Sequence, residues 1–141
     1  MATSDSLIDV SDGKVRVVFH SDASKLSVVV RSPVIARLSY DAGGWSTTGN
    51  PWNLFVNSQP SGVIEYSGES DGRRVVNFSL DNQLVAGPNK VELVGAVWPN
   101  SRGGLLLLSG TSIVINVDYT WSGSSMHNII HQTWTIDYQL E

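Results

Sequence analysis

Two histidines, His127 and His131, stand four residues apart, a spacing that lets imidazoles share a zinc ion when both lie on one helix. Gly123 to Ser125 just upstream argue for a loop, so the pair is read as solvated loop histidines and no metal site is expected. Serines beside glycines recur in Ser109-Gly110-Thr111-Ser112 and Ser122-Gly123-Ser124-Ser125, but neither stretch has the Gly-x-Ser-x-Gly pattern of a nucleophile elbow, and both read as turns. Glu65 and Glu69 are candidates for the paired carboxylates of glycoside hydrolysis, yet the intervening Gly68 makes them polar residues flanking a turn. No catalytic residue, no cofactor and no enzymatic activity are therefore expected.

Tryptophan is the stronger chemical signal, with five in 141 residues. Trp45 and Trp52 sit in AGGWSTTGNPWNLF among Gly, Asn and Pro, off any buried periodicity. An indole there offers a flat apolar face and an N–H donor to a sugar or protein ligand, with Asn53 beside it. The same residues equally suit a loop folded back over a core by its own aromatics. Trp98-Pro99-Asn100-Ser101-Arg102-Gly103-Gly104 reads as a second exposed turn, with Trp98, Asn100 and Arg102 as candidate contacts. The Arg102 guanidinium matches two acceptor oxygens of a carboxylate such as that of sialic acid, or else is simply solvated.

Positioning such loops requires a scaffold, and the composition says which kind. Val, Ile, Thr, Phe, Tyr and Trp supply 45 residues against 25 for Ala, Glu, Lys, Met, Gln and Arg, so the chain is a β protein, with 20 Ser and 13 Gly for turns. Its length fits one domain. A net charge of −4 without basic runs argues against nucleic acid as a partner. The longest apolar run, Leu105 to Leu108, is far too short to span a membrane as a helix, and MATSDS does not read as a signal peptide. With no cysteine there are neither disulfides nor thiolate metal sites.

Nine short strands are expected, near Lys14 to Phe19, Lys25 to Arg31, Val34 to Tyr40, Val63 to Tyr66, Arg73 to Leu80, Lys90 to Trp98, Leu105 to Leu108, Thr111 to Trp121 and Gln132 to Leu140. Together they suggest an antiparallel β-sandwich. The clearest alternations are Ile113 to Trp121 and Trp134 to Leu140, predicted to pair with each other across a loop from Ser122 to His131, with Trp121 and Trp134 in the core or a subunit interface. Ile8, Val10, Val15 and Val17 predict two further short strands about Ser11-Asp12-Gly13. Asp41 to Gly62 and Pro99 to Gly104 are expected to be long polar connections, the usual place for binding residues. Four consecutive leucines put two apolar side chains on each face of one strand, so both faces need cover, from a neighbouring subunit or from a loop of the same chain. Asn77-Phe78-Ser79 is a glycosylation sequon placed within a strand.

The segment SIVINVDYTWSGSSMHNIIHQTWTIDYQLE, from Ser112 to the end, resembles the C-terminus of an adenovirus fibre head, or knob. Tyr119, Trp121, Ser122 and Gly123 match the family's aromatic element and Ser-Gly, and Trp134, Ile136, Tyr138 and Glu141 match its terminal strand. HSDASKLSVVV, His20 to Val30, is similar to the turn and first strand of such heads, and SLIDVSDGKVRV, Ser6 to Val17, resembles a fibre-shaft repeat. The Thr-Leu-Trp-Thr junction of mammalian fibres is missing, which points to a non-mammalian adenovirus. The resemblance implies residues 1–17 as the end of a shaft or a leading segment and 18–141 as the head, an all-β antiparallel sandwich assembled as a homotrimer. It also implies a capsid vertex protein of the virion, made in the host cell and assembled in its nucleus. Such a protein is joined to the penton base through an upstream fibre tail, and its head attaches to a host cell-surface receptor, either a glycan such as sialic acid or a protein. A free microbial β-sandwich lectin is the alternative.

Overall fold

A computed structural model describes residues 5–10, 13–19, 28–43, 48–67, 72–97, 100–121 and 128–140. All regular elements among them are strands: β1 (Asp5–Val10), β2 (Gly13–Phe19), β3 (Val28–Val30), β4 (Val34–Asp41), β5 (Thr48–Val56), β6 (Gln59–Ser67), β7 (Arg73–Ser79), β8 (Gly87–Val97), β9 (Arg102–Ser109), β10 (Ser112–Trp121) and β11 (Asn128–Tyr138). They form a six-stranded sheet in the order β1-β2-β10-β9-β4-β7 and a five-stranded sheet in the order β3-β11-β8-β5-β6. The pairings are antiparallel except for β3 with β11, which run parallel. The two sheets pack face to face as a sandwich.

Period-two alternation builds the layers. On β4, Val34, Ala36, Leu38 and Tyr40 are buried while Ile35, Arg37 and Ser39 face outward. Opposite them, Leu54, Leu93, Trp134 and Ile136 of the five-stranded sheet close the core. Trp52 lies at the centre, fully buried, stacked on Tyr40 at 5.7 Å between ring centroids and edge-on to Tyr119 at 5.8 Å. Two strand glycines make room for it. A Cβ at Gly95, its register partner on β8, or at Gly103 on β9 would collide with the indole ring.

Several sequence expectations give way here. The alternating strands β10 and β11 do not pair with each other: β10 lies between β2 and β9, whereas β11 lies between β3 and β8. Alternation fixes which residues face the core but leaves the partner open, and two half-buried strands of the same pattern fit opposite sheets equally well. The expected connection from Asp41 to Gly62 contains β5 and the start of β6, from Gln59 to Gly62. Gly49 and Pro51, beside a register shift between Gly49 and Trp52, hide the start of β5, although Trp52, Leu54 and Val56 then alternate into the core. Asn57 and Ser58, both at positive φ (50° and 67°), make the tight two-residue hairpin turn usually signalled by Asn-Gly. The Asn57 side chain holds that turn against β8: its Oδ1 accepts from the Lys90 amide at 2.9 Å, and its Nδ2 donates to Asn89 at 2.9 Å. β11 begins at Asn128, so His131 is a strand residue, and Leu140 lies beyond the strand's end and is two-thirds exposed. The N-terminal pair forms as expected, with Val10 opposite Gly13, and the expected boundary between residues 17 and 18 falls inside β2.

Candidate functional site

The two expected binding stretches meet at the end of the sandwich where β4 finishes and β9 starts. Gly43, at φ 64°, packs against the Asn100 backbone so closely that a Cβ would overlap the Asn100 carbonyl. The Asp41 carboxylate accepts from the Gly43 amide at 2.9 Å and fixes the turn. Asn100, itself at φ 69°, is exposed, and Arg102 opens β9 with its side chain in solvent. Asp41 is the register partner of Arg102 on one side and of Arg73 on the other, so these three residues share one cross-strand row on the outer face of the six-stranded sheet.

The other candidates do not join them. Trp52 is fully buried in the aromatic core, so its ring has no face to offer a ligand, correcting its expected place in a loop. Its Nε1 points to the Gly104 carbonyl at 3.5 Å. Asn53 follows it on β5 and takes the opposite side of that strand, the outer face of the five-stranded sheet, where it is half-buried and has a bonding partner. Arg102 and Asn53 thus lie on opposite outer faces of the sandwich. Trp45 and Trp98 lie outside the described residues, as do Glu69, His127 and the Trp121 side chain.

The leucine run divides as its spacing requires. Leu105 and Leu107 are buried in the core, and Leu106 and Leu108 face outward and are half-buried. Leu108 stands between Ile35 of β4 and Ile113 of β10 in one row, and Ile113 is 52% exposed. The sandwich's own core accounts for the inner pair; of the outer pair, Leu108 belongs to an apolar surface row and Leu106 lies between Arg37 of β4 and Asn116 of β10.

On the opposite sheet, His131 Nε2 lies 2.8 Å from Glu92 Oε2, and Lys90 Nζ lies 3.3 Å from Oε1 of the same carboxylate. The hydrogen bond with His131, reinforced by Lys90, holds the Glu92 carboxyl below its usual range. No group of three metal-ligating side chains converges among the described residues. In the core, burial raises the phenols of Tyr40, to about 12, and of Tyr119, so both stay neutral hydroxyls at physiological pH.

Sequence reasoning passed over one feature. A groove of about 660 Å³ runs between β6 and β7, lined by Val63 to Glu65 and Arg73 to Val76. Arg74 is the available signal: it occupies an inward position on β7, paired with buried Tyr40, where alternation calls for an apolar residue. Its guanidinium lies 4.6 Å from the centroid of the Tyr66 ring.

No protein-family model matches the chain, and neither does any curated protein or solved structure.

Proposed function

We propose that the protein is the head of a viral attachment fibre of the adenovirus type, a homotrimer that binds a host cell-surface receptor and catalyses nothing. The C-terminal pattern of Tyr119, Trp121, Ser122 and Gly123, followed by Trp134, Ile136, Tyr138 and Glu141, carries this reading. An all-β sandwich of two sheets, with the turn at Gly43 packed on Asn100 at one end, is compatible with it. The outward row of Ile35, Leu108 and Ile113 supplies apolar surface for contact between subunits. The receptor-contact residues in this reading are Asn100 and Arg102, with Trp45 and Trp98 from the same two stretches; Trp52 and Asn53 are set aside. A guanidinium at that end suits a carboxylate-bearing glycan such as sialic acid. Affinity at a single site is then weak, about 10⁻³ M, and three copies on one trimer raise it.

Competition tests the function. Soluble protein added to permissive cells should block attachment of the virus that carries it, and Arg102→Ala protein of unchanged assembly should block less well. A wild-type protein that binds no cell surface and blocks no attachment would overturn the reading.

A further inference from the structure

Two asparagines of the chain precede serine, Asn57 and Asn100, and none precedes glycine. Both adopt the left-handed backbone of a turn, at φ 50° and 69°. A small following residue leaves room for an asparagine side chain to fold back on the next backbone amide, so these two are the chain's candidates for reaction with their own main chain.

Their surroundings differ. The Asn57 amide is pinned at both ends: its Oδ1 accepts from the Lys90 amide and its Nδ2 donates to Asn89 Oδ1, each at 2.9 Å. To react it has to give up both bonds. Asn100 is exposed, and no hydrogen bond holds its side chain among the described residues. What is fixed there is the peptide that follows. Gly43 packs against the Asn100 carbonyl and the Ser101 nitrogen, and Ser101 itself is buried. A free side-chain amide therefore stands beside a backbone nitrogen held in place.

We propose that Asn100 is a site of spontaneous deamidation, converted in the folded chain to aspartate or isoaspartate, which places a carboxylate two residues from Arg102. The Ser101 nitrogen gives its proton to base and attacks Cγ of Asn100. The new bond closes a succinimide ring, the Cγ–Nδ2 bond breaks, and ammonia leaves after taking up a proton. Water then adds to either ring carbonyl and that carbon's bond to the ring nitrogen breaks, giving aspartate or isoaspartate. One water is consumed and one ammonia released, with no oxidant or reductant. The product is ionised at neutral pH and adds one negative charge to a net −4. Arg102 already has Asp41 as its register partner, so a second carboxylate weakens its hold on an anionic ligand. That consequence rests on the attachment reading, whereas the modification does not.

The test holds the full chain in mildly alkaline buffer, samples it over weeks and digests it with trypsin, which releases Asn100 as the one asparagine of the peptide Val91 to Arg102. Tandem mass spectrometry reads conversion at each asparagine, and enzymatic methylation reads isoaspartate. Asn100 should convert about tenfold faster than Asn57, the protection that two hydrogen bonds confer, and isoaspartate should be among its products. In denaturant, where neither amide is held, the two should convert at similar rates. Equal rates in the folded chain overturn the proposal, as does an Asn100 that stays intact over the time in which the denatured chain converts. So does conversion to aspartate without isoaspartate, which would be direct hydrolysis without attack by Ser101. Asn100→Asp protein of unchanged assembly should bind permissive cells less well than the parent. Equal binding would overturn the link to attachment, and a parent that binds no cells would overturn the attachment reading itself; in both cases the mass data decide the modification.

Discussion

The outer face of the six-stranded sheet has two unlike ends, although the same strands β4 and β9 build both. At one end Ile35, Leu108 and Ile113 form an apolar row, and at the other Arg73, Asp41 and Arg102 form a charged one. The inner face of those strands is uniformly apolar, from Val34 to Tyr40 on β4 and at Leu105 and Leu107 on β9. A face that meets the core is selected only for burial, whereas a face outside it can be divided along the strand into a part suited to protein contact and a part suited to a polar ligand. In the proposed head, the first part is assigned to assembly and the second to attachment.

Adjacent leucines give the sharpest way to break this contrast. Leu107→Ala removes a fully buried side chain from the core and should cost roughly 2–5 kcal/mol of folding stability, read by chemical denaturation. Leu108→Asp, one residue on, places a charge in the outward apolar row and should leave the folded chain intact while lowering the mass of the assembly in solution. If both variants lose stability equally, the outward row is as much a part of the fold as the core, and the division of the face fails.

Next in size is the charged end. Arg102→Ala should leave folding stability within about 0.5 kcal/mol of the parent, as expected of an exposed residue, and leave assembly unchanged while reducing cell binding. Loss of assembly in this variant would mean that the charged end is also a subunit contact.

The smallest effect is expected on the other sheet and serves as a reference. Glu92 has a lowered carboxyl pKa in the folded protein, so the stability it contributes is present above the ordinary carboxylate range and is lost as pH falls through the lowered value. His131→Ala should move that loss to higher pH, toward the ordinary value near 4.3, as a slight shift in the acid limb of a melting-temperature profile. An unchanged acid limb would show that the contact with His131 does not hold the carboxyl down.

How much of this was legible beforehand depended on whether a pattern was local. Ile113 to Trp121 and Trp134 to Tyr138 announce their buried faces because alternation is a property of neighbouring residues. Their sheet partners are set by the packing of the whole chain, and the expected pairing of these two strands was wrong for that reason. Trp52 reads as a loop residue because Gly49 and Pro51 interrupt the pattern just before it, and the room for its indole is made by Gly95 and Gly103, distant in sequence. Asn100 is the turn residue its sequence context suggests, whereas Arg102, expected in the same turn, opens β9 together with Gly103 and Gly104; their companions Asp41, Gly43 and Arg73 come from β4, the turn after it and β7, and no spacing in the sequence connects them. The groove left a single trace, an arginine at an inward position of β7.

Multi-angle light scattering on the full chain, followed through serial dilution at micromolar concentration, tests the central claim most directly. A trimeric attachment head predicts a mass three times the chain's 15.3 kDa that holds on dilution. A mass of 15.3 kDa throughout would contradict it and leave the apolar row of Ile35, Leu108 and Ile113 without the partner assigned to it.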